Sequence, residues 1–315
     1  FKKIFEDKIK VLEKNNFKIL VVIFKSELKK NNNNKIIDFV NFNNIDLLKV
    51  FFKMIKNQII ISSTPTINKT ISNKTNYFIF IQHTLLRLSN KFNIDHIKNF
   101  DLITVSSEDQ YQECIKVIGI SSNKILYNKY HNQNFLTENK IENNYKNKSN
   151  ILIASSFYGN HLVKLINDDF INEISKYYKI ILRPHPELYK DNEMSIKINQ
   201  LESKFDSSNF EISNEISNKK VIDQSKYLIT DFSGIALTFS YRKLTPAVFV
   251  INDIEDKKLL NENYYEITLN KIGIVSDFNC QNLLKILDNI KTSRNEYIKK
   301  IKEHRDLQFK KFDND

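Results

Sequence analysis

The 315-residue chain has no tryptophan, four glycines, four prolines and two cysteines. The scarcity of cysteine and of glycine each removes a class of protein. Cys114 and Cys280 lie far apart and outside any C-x-x-C pair, so they build neither a disulfide framework nor a zinc site and fit a reducing compartment as buried thiols. With glycine so rare there is no Walker loop, no G-x-G-x-x-G and no G-x-S-x-G elbow, which leaves kinase, ordinary dehydrogenase and hydrolase readings without their parts. The longest apolar runs, 19–24 and 77–81, fall far short of the roughly 20 residues that cross a bilayer. No signal peptide is recognisable, and a start at Phe1 rather than Met is what an excised piece of a longer chain would show. His96, His131, His161 and His304 lack metal-ligand spacing, and the Asp-x-Asp at 313–315 sits in a charged tail, so no metal and no cofactor are expected.

What is present describes a globular enzyme-sized protein. An apolar share of 41% with 12% aromatics can bury a core. The length exceeds what one core usually supports, which implies two domains of roughly 150 residues each. Lys, Asn and Ile are abundant along the whole chain, a bias that fits an AT-rich genome, and the Asn run at 31–34 reads as a solvated loop. The net charge of +11 favours an anionic partner: nucleic acid, phospholipid or a phosphorylated substrate. Scattered lysines without an Arg-rich stripe, zinc-finger spacing or RNP motif argue against nucleic acid.

Short β-branched runs alternate with longer amphipathic stretches, the pattern of βα units around parallel sheets. Strands are predicted at 18–24, 58–62, 77–81, 102–106 and 124–127, then at 151–155, 178–183, 227–230 and 247–251. Helices are predicted at 45–56, 108–118, 162–177, 235–241 and 283–303, with a polar linker at 128–150. The expected fold is α/β: two Rossmann-like lobes facing across a cleft. An N-terminal acceptor-side lobe spans 1–135, a nucleotide-donor lobe spans 150–280, and a lysine-rich helical segment at 281–315 packs back across both or docks on an anionic membrane.

Ligands of such folds bind beyond the carboxyl ends of the strands, so chemistry is sought there. In ILRPHP two of the four prolines bracket His185 beside Arg183; the prolines restrict the backbone, and a rigid imidazole with a guanidinium suits a phosphate oxygen or a developing charge. The alternative is a plain turn with a capped His. In LITDFSGIA a strand passes through Thr230, Asp231, Ser233 and Gly234 into a helix whose exposed N–H groups form an anion site for a pyrophosphate, or else Ser233 or Asp231 is an ordinary N-cap. Ser155 and Ser156, at the end of the strand at 151–155, and Thr230 are expected to line the nucleotide. His83, in FIQHT at the end of an N-lobe strand, suits a general base, although a lone His there is more often structural.

Four stretches, IQHT with its following leucines, NFDLITVSSEDQYQEC, ILRPHPE and YLITDFSGIALTFSYRKLTPAVFV, together resemble the catalytic module of the CDP-glycerol glycerophosphotransferase family, the teichoic-acid-type enzymes with a GT-B-like fold. The resemblance covers roughly 77–252; Leu85 stands where the family has Gly, and Gly234 where it has a second Ser. It implies a CDP-polyol donor with its pyrophosphate on the Ser233–Gly234 helix end. Arg183 and His185 would steady the phosphates, and His83 would deprotonate an acceptor hydroxyl of a cell-surface or capsular glycan or lipid-linked chain, with release of CMP. It also implies a cytoplasmic enzyme, peripheral on the inner face of the plasma membrane. The alternatives are a transferase of CMP- or UDP-sugars, a UDP-sugar 2-epimerase-like enzyme, and a non-catalytic basic scaffold for an anionic polymer or membrane.

Overall fold

The parallel sheets follow from where the β-branched runs fall. The computed structural model describes residues 19–24, 37–42, 45–63, 65, 68, 70, 74–82, 84–130, 133–137, 149–156, 161–215, 217–231, 233–251 and 271–310. The chain divides into two α/β units: Phe1–His83, Phe92–Ser106 and Tyr111–His131 form one, and Thr84–Lys91, Ser107–Gln110 and Asn132–Asp315 form the other.

The first unit carries β1 (Ile19–Phe24) paired in parallel with β2 (Ile37–Phe42), and a separate parallel sheet of β3 (Ile59–Ser62), β4 (Tyr77–Ile81), β5 (Leu102–Val105) and β6 (Ile125–Tyr127) in chain order. Phe78 and Phe80, on alternate positions of β4, are fully buried, and both rings pack on Phe100 at centroid distances of 6.2 and 5.3 Å. Alternate side chains of a strand share one face, so a single strand supplies both aromatic anchors. The helix predicted at 108–118 runs as an α-helix over Glu108–Glu113 and then widens into a π-helical turn over Cys114–Ile118. That turn ends at Gly119 with φ of 77°, a left-handed conformation in which a side chain would be strained. Cys114 is wholly buried; burial, then the neighbouring Glu113, push its thiol up to about 12, which makes it inert packing.

The second unit holds six parallel strands: β7 (Asn150–Ala154), β8 (Lys179–Arg183), β9 (Phe210–Ile212), β10 (Ser225–Thr230), β11 (Ala247–Val250) and β12 (Gly273–Ser276). Their order is β12-β11-β10-β7-β8-β9, so the chain winds outward from β7 through β9, returns to β10 and winds outward the other way. This is the doubly wound Rossmann order, with its switch point between β7 and β10. Residues 151–154 and 227–230 are buried at every position rather than at alternate ones, because helices cover both faces of a parallel sheet. Ile151, Ile153, Leu182 and Ile229 meet Phe170 and Ile174 from the Asp168–Ser175 helix and Leu283 and Leu287 from the Cys280–Thr292 helix. Each such side chain contributes about 1.5–3 kcal/mol relative to exposure.

The structure redraws several predicted elements. The stretch at 162–177 is two helices, His161–Leu165 and Asp168–Ser175, because Asn167 interrupts it and caps the second by accepting the Phe170 N–H at 2.9 Å. The stretch at 283–303 breaks at Ser293 into Cys280–Thr292 and Arg294–Phe309. Within the expected linker, Gln133–Thr137 is helical and belongs to the second unit. Two buried arginines hold it there: Arg242 donates to Phe135 O at 2.9 Å, and Arg305 to Leu136 O at 3.0 Å. The terminal helix buries Ile301, His304, Arg305, Gln308 and Phe309 in this unit and leaves Lys299 and Lys302 in water. His304 Nδ1 shares a hydrogen bond with Tyr241 Oη at 3.1 Å, and burial pulls the imidazole below its usual pKa, so it is neutral packing rather than a charged site. Among the described residues no helix is long and apolar enough to cross a membrane.

Candidate functional site

The switch point gathers the predicted residues of the second unit. Parallel register sets Thr230 beside Ala154, so the segments leaving β10 and β7 start side by side. Thr230 is fully buried and donates its hydroxyl proton to Ala154 O at 2.6 Å; it ties the two strands together and has no exposed surface with which to meet a nucleotide. One residue on, Asp231 Oδ1 accepts the Ser156 N–H at 2.6 Å, a charge-assisted bond that fixes the two loops to one another. Ser155 between them is 3% exposed, and no described residue partners its hydroxyl. A buried hydroxyl left that way is a candidate for a bond to a bound ligand.

After Asp231 the chain turns into the Ile235–Lys243 helix, whose first eight residues are buried. Gly234 occupies the cap position at φ −62°, and no side chain caps the helix start. The ordinary N-cap reading of Ser233 or Asp231 therefore does not describe this helix. Ser233 and Gly234 are half-buried, so the positive end of the helix dipole lies at the carboxyl edge of the sheet beside the switch point, with the Ala236 N–H already donated to Ser233 O at 3.2 Å.

On the other side of β7, Ala154 pairs with Arg183, the last residue of β8. Arg183 is half-buried, its Nε is sequestered from water, and no described residue accepts a hydrogen bond from it. Desolvation lowers its pKa, with Tyr189 and Glu215 opposing that effect from a distance. Glu215 is itself paired with Lys220 at 2.5 Å. A guanidinium Nε–H buried without a described acceptor is unfavourable by about 1–3 kcal/mol, a penalty that an arriving anion would remove.

His185 caps the Pro186–Lys190 turn, with Nδ1 accepting the Glu187 N–H at 3.2 Å. The turn is thus closed by the ring accepting an amide proton. With Nδ1 an acceptor, the proton of the neutral ring sits on Nε2, where it can be donated to a phosphate oxygen.

His83 lies outside the described residues. The residues that follow it belong to the second unit: Thr84 is buried, and Leu86 reaches the Gly234 end of the helix, 3.3 Å from where a Cβ at 234 would stand. Buried Gln110, which no local pattern singles out, holds this turn from 24 residues away in sequence. Among the described residues no three His, Cys, Asp or Glu side chains gather as metal ligands.

Two Rossmann-like α/β units, the second with the candidate site at its switch point, have the GT-B-like class of fold. No protein-family model matches the chain, and no curated protein matches it by sequence. Among solved structures the chain is similar to the wall teichoic acid polymerase TagF: a histidine-to-alanine variant superposes with a TM-score of 0.66 at 17% identity, over 98% of this chain and 80% of that one. A second TagF variant, soaked with CDPG, gives 0.63 at 16% identity over the same shares. The UDP-GlcNAc 2-epimerase from Methanocaldococcus jannaschii gives 0.51 at 14% identity, over 91% of this chain and 88% of that one. At these identities the likeness is one of fold.

Proposed function

We propose that the chain is a transferase that moves a polyol phosphate from a CDP-linked donor to a hydroxyl of a glycan or lipid-linked acceptor and releases CMP. The observation that carries this reading is Arg183: a half-buried guanidinium without a described hydrogen-bond acceptor, two residues from His185 and one strand from the Ser155 hydroxyl. Together with the uncapped helix start at Gly234, these groups would surround a diphosphate with donors.

The acceptor oxygen attacks the β-phosphorus as a base removes its proton. The bond from that phosphorus to the bridging oxygen breaks, and the electron pair leaves with CMP. Charge develops on the leaving phosphate, where Arg183, the Nε2 proton of His185 and the helix dipole would stabilise it, so the step needs no metal. His83 is the base in this reading, as the resemblance implies. The fold shared with a TagF variant soaked with CDPG supports a CDP-linked donor. Likeness to a UDP-GlcNAc 2-epimerase keeps a UDP-sugar as the second reading. The work would be cytoplasmic, at an anionic inner membrane faced by lysines such as Lys299 and Lys302; failure to float with anionic liposomes at physiological salt would remove that location.

The nucleotide is tested by thermal stability against CDP-glycerol, CDP-ribitol, CMP-sialic acid, UDP-GlcNAc, CMP and UMP. At 100 times the Kd a ligand adds about 2.7 kcal/mol to folding. A shift with CDP-polyols is expected. A shift confined to UDP- or CMP-sugars transfers the protein to the second reading, and no shift at all makes it a scaffold.

A further inference from the structure

Gln110 is 1% exposed, yet its side-chain amide reaches two carbonyls far back in the sequence: Nε2 donates to Thr84 O at 2.8 Å and to Leu86 O at 2.9 Å. One amide nitrogen has two hydrogens, and both are spent on a single turn of chain. That turn is closed from within by the Leu86 N–H on Thr84 Oγ1 at 3.1 Å. It lies against the helix start, for a Cβ on Gly234 would stand 3.3 Å from Leu86 Cδ1, 3.5 Å from Leu86 Cγ and 3.8 Å from Thr84 Oγ1. Gln110 is itself fixed: its backbone N–H donates to Ser107 Oγ at 3.3 Å, and the adjoining Asp109 N–H donates to Gln308 Oε1 at 3.1 Å. All of these residues belong to the unit that carries Arg183 and Ser155.

We propose that Gln110 is a positioning residue of the donor site. It clamps the 84–86 turn onto the first turn of the Ile235–Lys243 helix, and Leu86 thereby walls the anion site on the side where residue 234 has no side chain. The inference rests on the donor reading above. That this helix start faces a ligand is supported independently by Ser155, one strand away, whose buried hydroxyl has no hydrogen-bond partner among the described residues. An apolar wall keeps water from the first-turn N–H groups, and a lower local dielectric strengthens their hold on an anion. Glycine at 234 fits this arrangement, since any Cβ there presses on Leu86 and displaces it by a few tenths of an ångström.

The test uses the full chain with inorganic pyrophosphate titrated by calorimetry and urea unfolding in parallel. Gln110→Met keeps the length and loses both donors; the Kd is expected to rise about tenfold, as the loss of two hydrogen bonds would give. Gln110→Glu, with an acceptor in place of the donor, is expected to rise at least as far. An unchanged Kd in variants that still fold, with only a lower urea midpoint, would reduce Gln110 to a structural role and overturn the proposal. The wall is tested by a double-mutant cycle in which Gly234→Ser weakens pyrophosphate binding several-fold alone and less than half as much beside Leu86→Ala. Additive effects overturn it. A wild-type protein that binds no pyrophosphate removes the donor reading and the positioning role together, whereas coupling of Leu86 with Gly234 in the urea midpoint is decided without any ligand.

Discussion

Arg183→Met is expected to abolish the rise in melting temperature that the proposed function predicts for nucleotide-linked donors, and to leave the unliganded protein as stable as before or slightly more so. Methionine retains the apolar stem that packs at the end of β8 and removes a partly desolvated charge whose buried Nε has no hydrogen-bonding partner among the described residues. Bound to a diphosphate, the guanidinium would form two charge-assisted bonds, each contributing about 1.5–3 kcal/mol, so the affinity should fall about 10²-fold or more. Arg183→Lys should recover little of this, because an ammonium cannot reproduce the bidentate fork. Isothermal titration with CDP-glycerol measures the ligand effect and urea unfolding measures the unliganded stability. A variant that loses stability without ligand while binding normally would make Arg183 a structural residue.

Arg242→Ala should have the largest effect on folding. The side chain is 5% exposed, stacks on the Phe135 ring with 4.3 Å between guanidinium carbon and ring centroid, donates to Phe135 O, and forks onto both oxygens of Asp223 at 2.8 and 3.2 Å. Asp223 is nearly half exposed, so stranding that carboxylate adds little. The orphaned carbonyl, the lost cation–π contact and the cavity remain, and together they should lower stability by about 3 kcal/mol. That corresponds to a fall in melting temperature of roughly 6–12 °C for a unit of this size. The Gln133–Thr137 helix should come loose first, read as faster amide exchange there, and a loss below about 1 kcal/mol would contradict the packing described.

The two expectations differ in how far they could be read from sequence. Arg183 was legible as a strand end: two prolines and a histidine follow an apolar run, and the structure ends β8 at this residue, one strand from the switch point. Asp231 and Ser156 were legible as loop residues, but the bond between them joins positions 75 apart and needs the register of β10 on β7. Thr230 shows the limit of local reasoning, since a threonine after a buried strand looks available until its carbonyl partner is known. Gln110 lies inside one of the stretches that carry the resemblance, but no local pattern singles it out; its importance arises from two carbonyls on a turn that is distant in sequence.

The same distinction governs the fold. Apolar runs such as β8 and β11 stand out by burial on both faces. Among the strands not foreseen, β9 is three residues long and β12 is only partly buried, so neither shows a periodicity. The Asn192–Lys204 helix buries only Met194, Ile198 and Leu201 among polar neighbours, and that sparse stripe does not distinguish it from loop.

The central claim is transfer, and CMP release measures it most directly. Full-length protein is incubated with CDP-glycerol and a glycerol-phosphate-primed lipid acceptor, and CMP is quantified over time. The account requires acceptor-dependent CMP release in step with acceptor elongation, and its loss in Arg183→Met and His185→Ala. Saturable binding of CDP-glycerol with no CMP above the acceptor-free control would contradict it.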